Sequence, residues 1–314
     1  MAHTIAHRRA IAEQRRLIER LITQAERASK ATFYDQVEWL RSKTAIAELE
    51  RAIRARRDPI DPDLLAQAAR VLARVNTQTQ IKAARAIGRS AQNAIAYDEE
   101  NTRAVRAMQR REDRFERDFT REQAQNVKRI LADGISRGEN PRAIARDIRN
   151  GLGLTPYQSR IVSNYRRALE EGNAANALRR ALRDRRKDSK IARGELTESE
   201  IDDLVRGYRE SWVDHRAEMF ARRESHRSVH EGAEDLWKQA TDSGDVAKQD
   251  LIREWISTSD TRTRDHHRSM DGQRRKLGVA FRSGLGNDLM FPGDPAAPSE
   301  EVEGCRCTVA TIFV

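Results

Sequence analysis

Narrow apolar stripes at helical spacing are the feature that most constrains this fold. In residues 4–30 the apolar positions recur every three or four residues: Leu17, Ile18, Leu21, Ile22 and Ala25. Arginine and glutamate occupy the opposite face, so the segment is predicted to be an amphipathic α-helix. A narrow stripe is typical of a bundle, a coiled coil or an oligomer interface. Hydrophobic residues make up 38% of the chain, below the usual share of about 45–50%, which favours elongated helical layers over one thick core.

The same pattern continues through the first hundred residues. A second helix is predicted to begin near Phe33 and to continue its stripe to Ile53, and the segment 58–62 breaks it with two prolines. Asp61 can cap a third helix, in which Pro62 suits the first position and which is predicted to end near Ile95. Residues 1–100 are therefore predicted to form a helical arm.

Residues 101–250 are predicted to form a helical middle region. The segment 101–129 is dense in arginine and glutamate and predicts a connecting helix. Two shorter helices are expected to begin at Asn140-Pro141 and Thr155-Pro156, because Asn and Thr cap helix N-termini and proline fits the first turn. A DNA-reading helix-turn-helix is one interpretation of this corner. A packed corner between bundle helices is favoured, because no polar base-contacting residues cluster at the start of one helix.

The second half of the middle region contains a charged segment and a long helix. Residues 183–196 are highly charged and predict an exposed linker. Thr197 and Glu200 have the spacing of a capping box, and the helix that they begin is expected to reach Trp237 and to end near Ser243-Gly244.

Charge and cysteine content narrow the classes of partner and compartment. The net charge is +10, and arginine greatly outnumbers lysine, so nucleic acid or an acidic protein surface is the expected partner. The alternative is that the charged helices are simply solvated faces, since acidic residues are interleaved with the basic ones. Only two cysteines are present, the first residues do not form a signal peptide, and no apolar run is long enough to span a bilayer. We therefore expect a soluble protein that is made in the cytoplasm and has no contact with a membrane.

The last part of the chain, 251–314, is predicted to be a small α+β domain. Trp255 to Ser257 suits a short strand, Asp260 can cap a helix over 261–270, and 308–314 suits a terminal strand. The intervening stretch 277–304 has almost no periodicity, and a loop of that length in a compact domain requires something that holds it in place. The fold class predicted for the whole chain is mainly α, with elongated helical N-terminal and middle regions and a small α+β C-terminal domain.

The residues of this terminal stretch resemble a known family. The pattern consists of Trp255, Asp260, Arg264, His267, Asp271-Gly272, the loop Pro292-Gly-Asp-Pro295, and Cys305-x-Cys307. It resembles the C-terminal domain of the phage Mu protein F-like family, the minor head morphogenesis proteins of tailed bacteriophages. A looser similarity extends upstream to about Phe115. The resemblance includes an Arg-x-Glu-like segment, matched by Arg222 and Glu224, and we expect these two residues to form a buried ion pair or network that links their helix to the terminal domain.

The two cysteines predict a zinc site. In an extended strand, residues two apart point to the same face, so Cys305 and Cys307 present two sulfurs together. A disulfide is poor chemistry at that spacing, whereas thiolate and imidazole are the preferred ligands of structural zinc. By the resemblance, His267 is the third ligand. The alternative is that both cysteines are reduced and that His267 is hydrogen-bonded to Asp260 or Asp271.

The fourth zinc ligand has several candidates. We predict His226 as the fourth ligand, with His230, His266 and Asp271 as alternatives. His226 and His230 are four residues apart and share one helix face, which is the spacing of a helical metal pair. No glutamate follows the first histidine, so the segment is not the zinc-protease motif.

The resemblance implies a structural protein of the virion. It would be built into the head near the portal after assembly in the host cytoplasm, in multiple copies, with the portal protein, the major capsid protein or a scaffold protein as partners and double-stranded DNA as a further contact. Trp255, Asp260, Arg264 and Asp271 would then hold the docking fold. The alternative is a metal-dependent enzyme that binds or cleaves DNA through the cluster Asp265-His266-His267. An enzyme is not expected, because these residues lie in one short helix that has an ordinary structural explanation.

Overall fold

The computed structural model describes residues 5–91, 94–194, 196–258 and 260–313. Parts of four predictions lie outside this range: the first residue of the first helix, positions 92–93 of the third helix, residue 195 of the linker and the last residue of the terminal strand. The chain forms two compact units. The first comprises Met1–Thr32, Ala73–Glu112 and Met219–Val314, and the second comprises Phe33–Leu72 and Asp113–Glu218. The predicted division into 1–100, 101–250 and 251–314 stays a prediction.

Helices, the short 3-10 turns included, make up 68% of the residues that the structure describes, which confirms the mainly α class. The α-helices are α1 Ile5–Ser42, α2 Ile46–Arg54, α3 Pro62–Ser90, α4 Thr102–Ser136, α5 Pro141–Gly151, α6 Pro156–Glu170, α7 Ala174–Leu178, α8 Asp188–Arg193, α9 Glu198–Asp242, α10 Asp265–Arg268 and α11 Ser299–Val302. Short 3-10 turns cover Arg185–Lys187 and Lys248–Asp250. Within the described ranges, no helix is both long enough and apolar enough to cross a membrane.

Several predicted helix boundaries were wrong. The first predicted helix continues without a break into the second, because no glycine or proline interrupts α1 before Ser42. The second predicted helix does not run unbroken to Ile53, since it is interrupted between Ser42 and the start of α2 at Ile46. The third helix ends at Ser90 rather than near Ile95. The predicted linker 183–196 instead contains a 3-10 turn and α8, which Gly194 ends in a left-handed conformation. Two predicted caps are confirmed: the Asn140 side chain accepts a hydrogen bond from Ala143 N, and Thr155 forms a capping box with Gln158.

The second unit has an apolar core made by α1, α2, α3, α4 and α5. Leu40, Leu49, Leu65, Ile130 and Ile148 are among its buried residues. Buried amide groups close the corner between α4 and α6. The Asn126 amide donates to Gly151 O, Leu154 O and Ser159 Oγ at 2.8–3.1 Å, an arrangement that fits the packed corner predicted for this segment.

The first unit combines helices with two small sheets. The strands are β1 Leu251–Ile256, β2 Arg274–Lys276, β3 Phe281–Arg282, β4 Asp288–Leu289 and β5 Thr308–Phe313. The larger sheet has the antiparallel order β2-β1-β5, and β3 pairs with β4. The helical core of the first unit contains residues of α1, α3 and α9, including Ile18, Ile87, Val229 and Trp237.

Two expected features of the terminal region differ from the prediction. The first strand spans Leu251–Ile256 rather than 255–257. The helix predicted over 261–270 is the short α10, and Asp260 does not cap it. Asp260 instead accepts from Arg262 N at 3.0 Å and receives two hydrogen bonds from Arg306 at 2.7 Å, so its oxygens are already used in a turn and an ion pair.

Candidate metal centre in the C-terminal region

A second apolar core of the first unit surrounds the predicted site. Its buried residues are Trp255, Met270, Phe281, Leu289, Cys305, Cys307 and Val309. The Trp255 ring is fully buried and meets the edges of His267 and Phe281, with centroid distances of 5.9 and 5.4 Å. Trp255 therefore fixes the orientation of the His267 ring from one side.

The two cysteines and His267 converge, as the zinc hypothesis requires. Cys305 Sγ lies 3.5 Å and Cys307 Sγ 3.6 Å from His267 Nδ1. All three residues are buried, both thiols are free, and the three ligand atoms lie within 4.8 Å of one another. The short helix α10 supplies the histidine, and the extended segment before β5 supplies both sulfurs from one face.

The other nitrogen of the same ring contacts a buried carboxylate. His267 Nε2 lies 2.8 Å from Glu301 Oε2. Glu301 is fully buried in α11 and also accepts from Ser283 Oγ at 2.6 Å and from Asn287 Nδ2 at 2.9 Å. The prediction that His267 is hydrogen-bonded to Asp260 or Asp271 was therefore wrong. The only signal in the sequence was an acidic pair placed shortly before the cysteines.

Hydrogen bonding sets the protonation of this cluster. Burial acts to raise the pKa of Glu301, but the hydrogen bonds from Ser283, Asn287 and His267 hold it below its ordinary value. Burial likewise acts to lower the pKa of His267, and its contacts with Cys307 and Glu301 raise it instead. The hydrogen bond between the thiols lowers the pKa of Cys305 and, together with burial, raises that of Cys307. Cys305 is therefore the more acidic thiol.

The donor set fits a zinc ion. Two sulfurs and an imidazole nitrogen form a soft set with the ligand types of structural zinc sites. A histidine that binds zinc through one nitrogen usually donates its other N–H to a carboxylate, which fixes the tautomer and makes the ligand more basic. Glu301 stands in that position toward His267. The chain thus supplies three ligands and the outer carboxylate.

His226 is not among the three residues whose ligand atoms lie within 4.8 Å of one another, so its role as fourth ligand stays a prediction. His226 and His230 are buried on α9, with ring centroids 6.3 Å apart. The His226 ring forms a hydrogen bond with the backbone of Cys307. Burial lowers the pKa of His226 to about 4, with Arg222 adding to the effect, and lowers that of His230 to about 3. Both rings are neutral at pH 7.

A second histidine–carboxylate group shares His267. His266 Nε2 lies 3.4 Å from Glu301 Oε2, and His266, His267 and Glu301 have ligand atoms within 4.8 Å of one another. However, each Glu301 oxygen already accepts a hydrogen bond. The acidic residues invoked for an enzyme lie elsewhere: Asp265 pairs with Arg268, and Asp271 Oδ1 accepts from the Ser257 backbone at 2.7 Å.

The remaining predicted residues hold the segments around the cysteines. Asp260 binds Arg306, which lies between the two cysteines, and this ion pair keeps the pKa of Asp260 far below its ordinary value. Arg264 donates to the carbonyl oxygens of Glu301 and Glu303. Asp260 and Arg264 therefore fix α10, α11 and the cysteine segment relative to one another.

The link from α9 to this region runs through a residue that the sequence analysis missed. Arg222 does not pair with Glu224, and lies 3.7 Å from Glu26 instead. Glu224 is buried and receives a hydrogen bond from Arg223 Nε at 3.0 Å, while Arg223 also binds Glu303 at 2.9 Å. The predicted ion-pair network exists, but Arg223 is its centre because successive helical residues point in different directions.

Two further buried side chains hold the long loop 277–304. Arg253, on β1, is fully buried, pairs with Glu234, and donates to the carbonyl oxygens of Met290 and Val279. Asp294 accepts from Met290 N at 2.7 Å. Protein side chains thus supply much of the restraint that a loop of this length requires.

Comparison with known proteins finds a family to which part of the chain is similar. The model of the family described as Phage Mu protein F like protein matches residues 159–310. The match contains α6 from Ser159 onward, α7 to α11, all five strands up to residue 310, and the whole candidate metal centre. No curated protein and no solved structure matches the chain.

Proposed function

Because residues 159–310 match the model of the phage Mu protein F-like family, we propose that this chain is a phage head morphogenesis protein and a structural minor component of the head. It docks through its C-terminal region on the portal vertex or the inner capsid, and its basic helices face packaged DNA or an acidic scaffold. The family match is the observation that carries the proposal. The cluster of buried ion pairs and thiols around α10, α11 and β5 supports a structural role for these residues, because each side chain fixes a neighbouring segment.

Incorporation into particles is the direct test. Particles purified from infected cells should contain the protein at a defined low copy number, and crosslinking should join its 251–314 region to the portal protein or the inner capsid. Deletion of the gene should yield heads with defective assembly. Intact particles that lack the protein altogether would refute the structural role and favour a transient assembly factor.

The metal centre is proposed to be a structural zinc site. His267 Nδ1, Cys305 Sγ and Cys307 Sγ would hold the ion, and Glu301 would orient the histidine. Zinc, when bound, supplies a crosslink between α10 and the segment before β5, and such crosslinks contribute directly to the stability of small domains. The chain's own residues bring the three buried ligand atoms within 4.8 Å of one another.

Zinc content of the purified protein tests this part. We expect one zinc per chain in the parent, loss of that zinc in a Cys305→Ser, Cys307→Ser variant, and faster proteolysis within 251–313 in the variant. Ser269→Ala, which alters an exposed side chain beside α10, serves as the matched control and should keep the metal. A parent protein that binds no zinc when purified and reconstituted under reducing conditions would contradict the site while leaving the head assignment intact.

A further inference from the structure

The excess positive charge of the chain is concentrated in one short segment of the second unit. Residues 179–193 contain eight basic residues and two acidic ones, a net charge of +6, whereas the whole chain carries +10. More than half of the excess charge therefore lies in 15 residues. The basic residues are Arg179, Arg180, Arg183, Arg185, Arg186, Lys187, Lys190 and Arg193. Elsewhere acidic residues are interleaved, so this segment, which we call the basic turn, stands apart.

The basic turn is an ordered element rather than a linker. Arg183 binds both oxygens of Asp188 at 2.9 and 2.8 Å and also donates to the Arg180 carbonyl. Asp184 accepts from the backbone N–H of Arg186. Ile191, a residue of α8, is buried. Because the backbone is already fixed, a partner that binds here would order little additional chain.

Internal ion pairs leave a set of cations available for a partner. Asp188 and Asp184 neutralise Arg183 and Arg186, and Lys190 pairs with Glu200 at 2.8 Å. Four exposed cations have no acidic hydrogen-bonding partner among the residues that the structure describes: Arg179, Arg185, Lys187 and Arg193. These four positions define the charged face of the basic turn.

We propose that the basic turn binds the phosphate backbone of double-stranded DNA without reading its sequence. Arginine dominates the segment, and its planar guanidinium suits phosphate oxygens. Residues 179–193 contain no aromatic side chain on which an unpaired base could stack, and such stacking is the usual device for holding single strands. The partner identity rests on the proposed function, since a protein of the head meets packaged duplex DNA.

Salt-dependent binding tests the location and the partner together. The probe is a short mixed-sequence DNA duplex, titrated with the full chain by fluorescence anisotropy over a series of salt concentrations. The test variant changes Arg179, Arg185, Lys187 and Arg193 to Ser. The control variant removes the same charge from exposed positions of the same unit, with Ser at Arg114, Arg117, Lys128 and Arg142. Both variants should retain the parent's circular dichroism and thermal unfolding, because all eight side chains are exposed.

The expected result is a change in the slope of log K against log salt. Each phosphate contact contributes about 0.9 to that slope, so the test variant should lose about 3–4 and the control variant much less. Equal losses in both variants would overturn the proposal, because binding would then follow total charge. So would a parent that binds polyglutamate as tightly as duplex DNA, or single strands more tightly than duplex. Incorporation into particles is measured separately. If particles contain the test variant, the head assignment stands even if duplex binding fails. If particles lack the parent protein, the head assignment is refuted, whatever the result for duplex binding.

Discussion

Glu301→Gln is the substitution that examines the metal centre most directly. The carboxylate accepts three hydrogen bonds in a fully buried position, from Ser283, Asn287 and His267. Glutamine keeps the shape but replaces one oxygen by a donor. If that donor faces His267 Nε2, the ring must shift its proton to Nδ1, where it points at the two sulfurs. If it faces Asn287 instead, two amide donors oppose each other.

The magnitude follows from one charge-assisted hydrogen bond lost in a buried site. Such a loss costs about 1.5–3 kcal/mol, and removal of an outer-shell partner typically weakens metal binding by about 10–100-fold. We therefore expect Glu301→Gln to lower the free energy of unfolding by about 1.5–3 kcal/mol and to weaken zinc binding by about 10–100-fold. Glu300→Gln is the matched control, because the neighbouring Glu300 is exposed and its substitution should change neither quantity.

Competition with a chromophoric chelator measures the zinc affinity, and urea unfolding with and without zinc measures stability. We expect the increase in the free energy of unfolding caused by zinc to be smaller in Glu301→Gln than in the parent, and unchanged in Glu300→Gln. Unchanged zinc affinity in a folded Glu301→Gln protein would refute it. In that case His267 does not bind zinc through Nδ1 under the control of this carboxylate.

Three other substitutions examine the rest of the fold. Burial raises the pKa of Asp147 from 3.8 to about 6, so its folded form prefers the proton and the protein loses stability as pH rises from about 4 through 6. Asp147→Asn should remove that loss and stabilise the protein at pH 8 by about 2–3 kcal/mol. Urea unfolding of the parent and the variant at pH 5 and pH 8 measures the gain in stability, and an equal gain at both pH values would contradict the prediction. Arg253→Met should cost about 3–5 kcal/mol because it leaves Glu234 buried without a partner, and adding Glu234→Leu should recover much of that loss in thermal unfolding. Gly293→Ala should lower the free energy of unfolding by about 2 kcal/mol or more, since Gly293 has a φ of +87° and a Cβ there would lie 3.0 Å from a backbone nitrogen of α9. Gly244→Ala is the control, because Gly244 has a similar φ of +84° but no neighbour within 4 Å, so the difference between the two variants gives the cost of the steric contact.

The helical character of the chain was accessible from local pattern alone. Apolar residues at intervals of three and four, together with Asn140 and Thr155 before prolines, specify helices through short-range geometry. Helix ends were less accessible. Residues 30–33 contain no helix-breaking residue, and whether α1 stops or continues there depends on what packs against it. The basic turn was taken for a linker because charge density does not reveal that Asp184 and Asp188 will order the backbone.

That Cys305 and Cys307 present their sulfurs together follows from the local sequence, because alternation along an extended segment is a local property. The family pattern added His267, and the structure brings these three residues to one point. The rest of the centre depends on contacts between segments that are distant in the chain. Glu301 reaches His267 across 34 residues of chain, and His226 of α9 forms a hydrogen bond with the Cys307 backbone. Neither contact has a periodic signature, since each depends on how a loop folds back onto a helix, and that path is fixed by buried partners such as Arg253 rather than by local propensity.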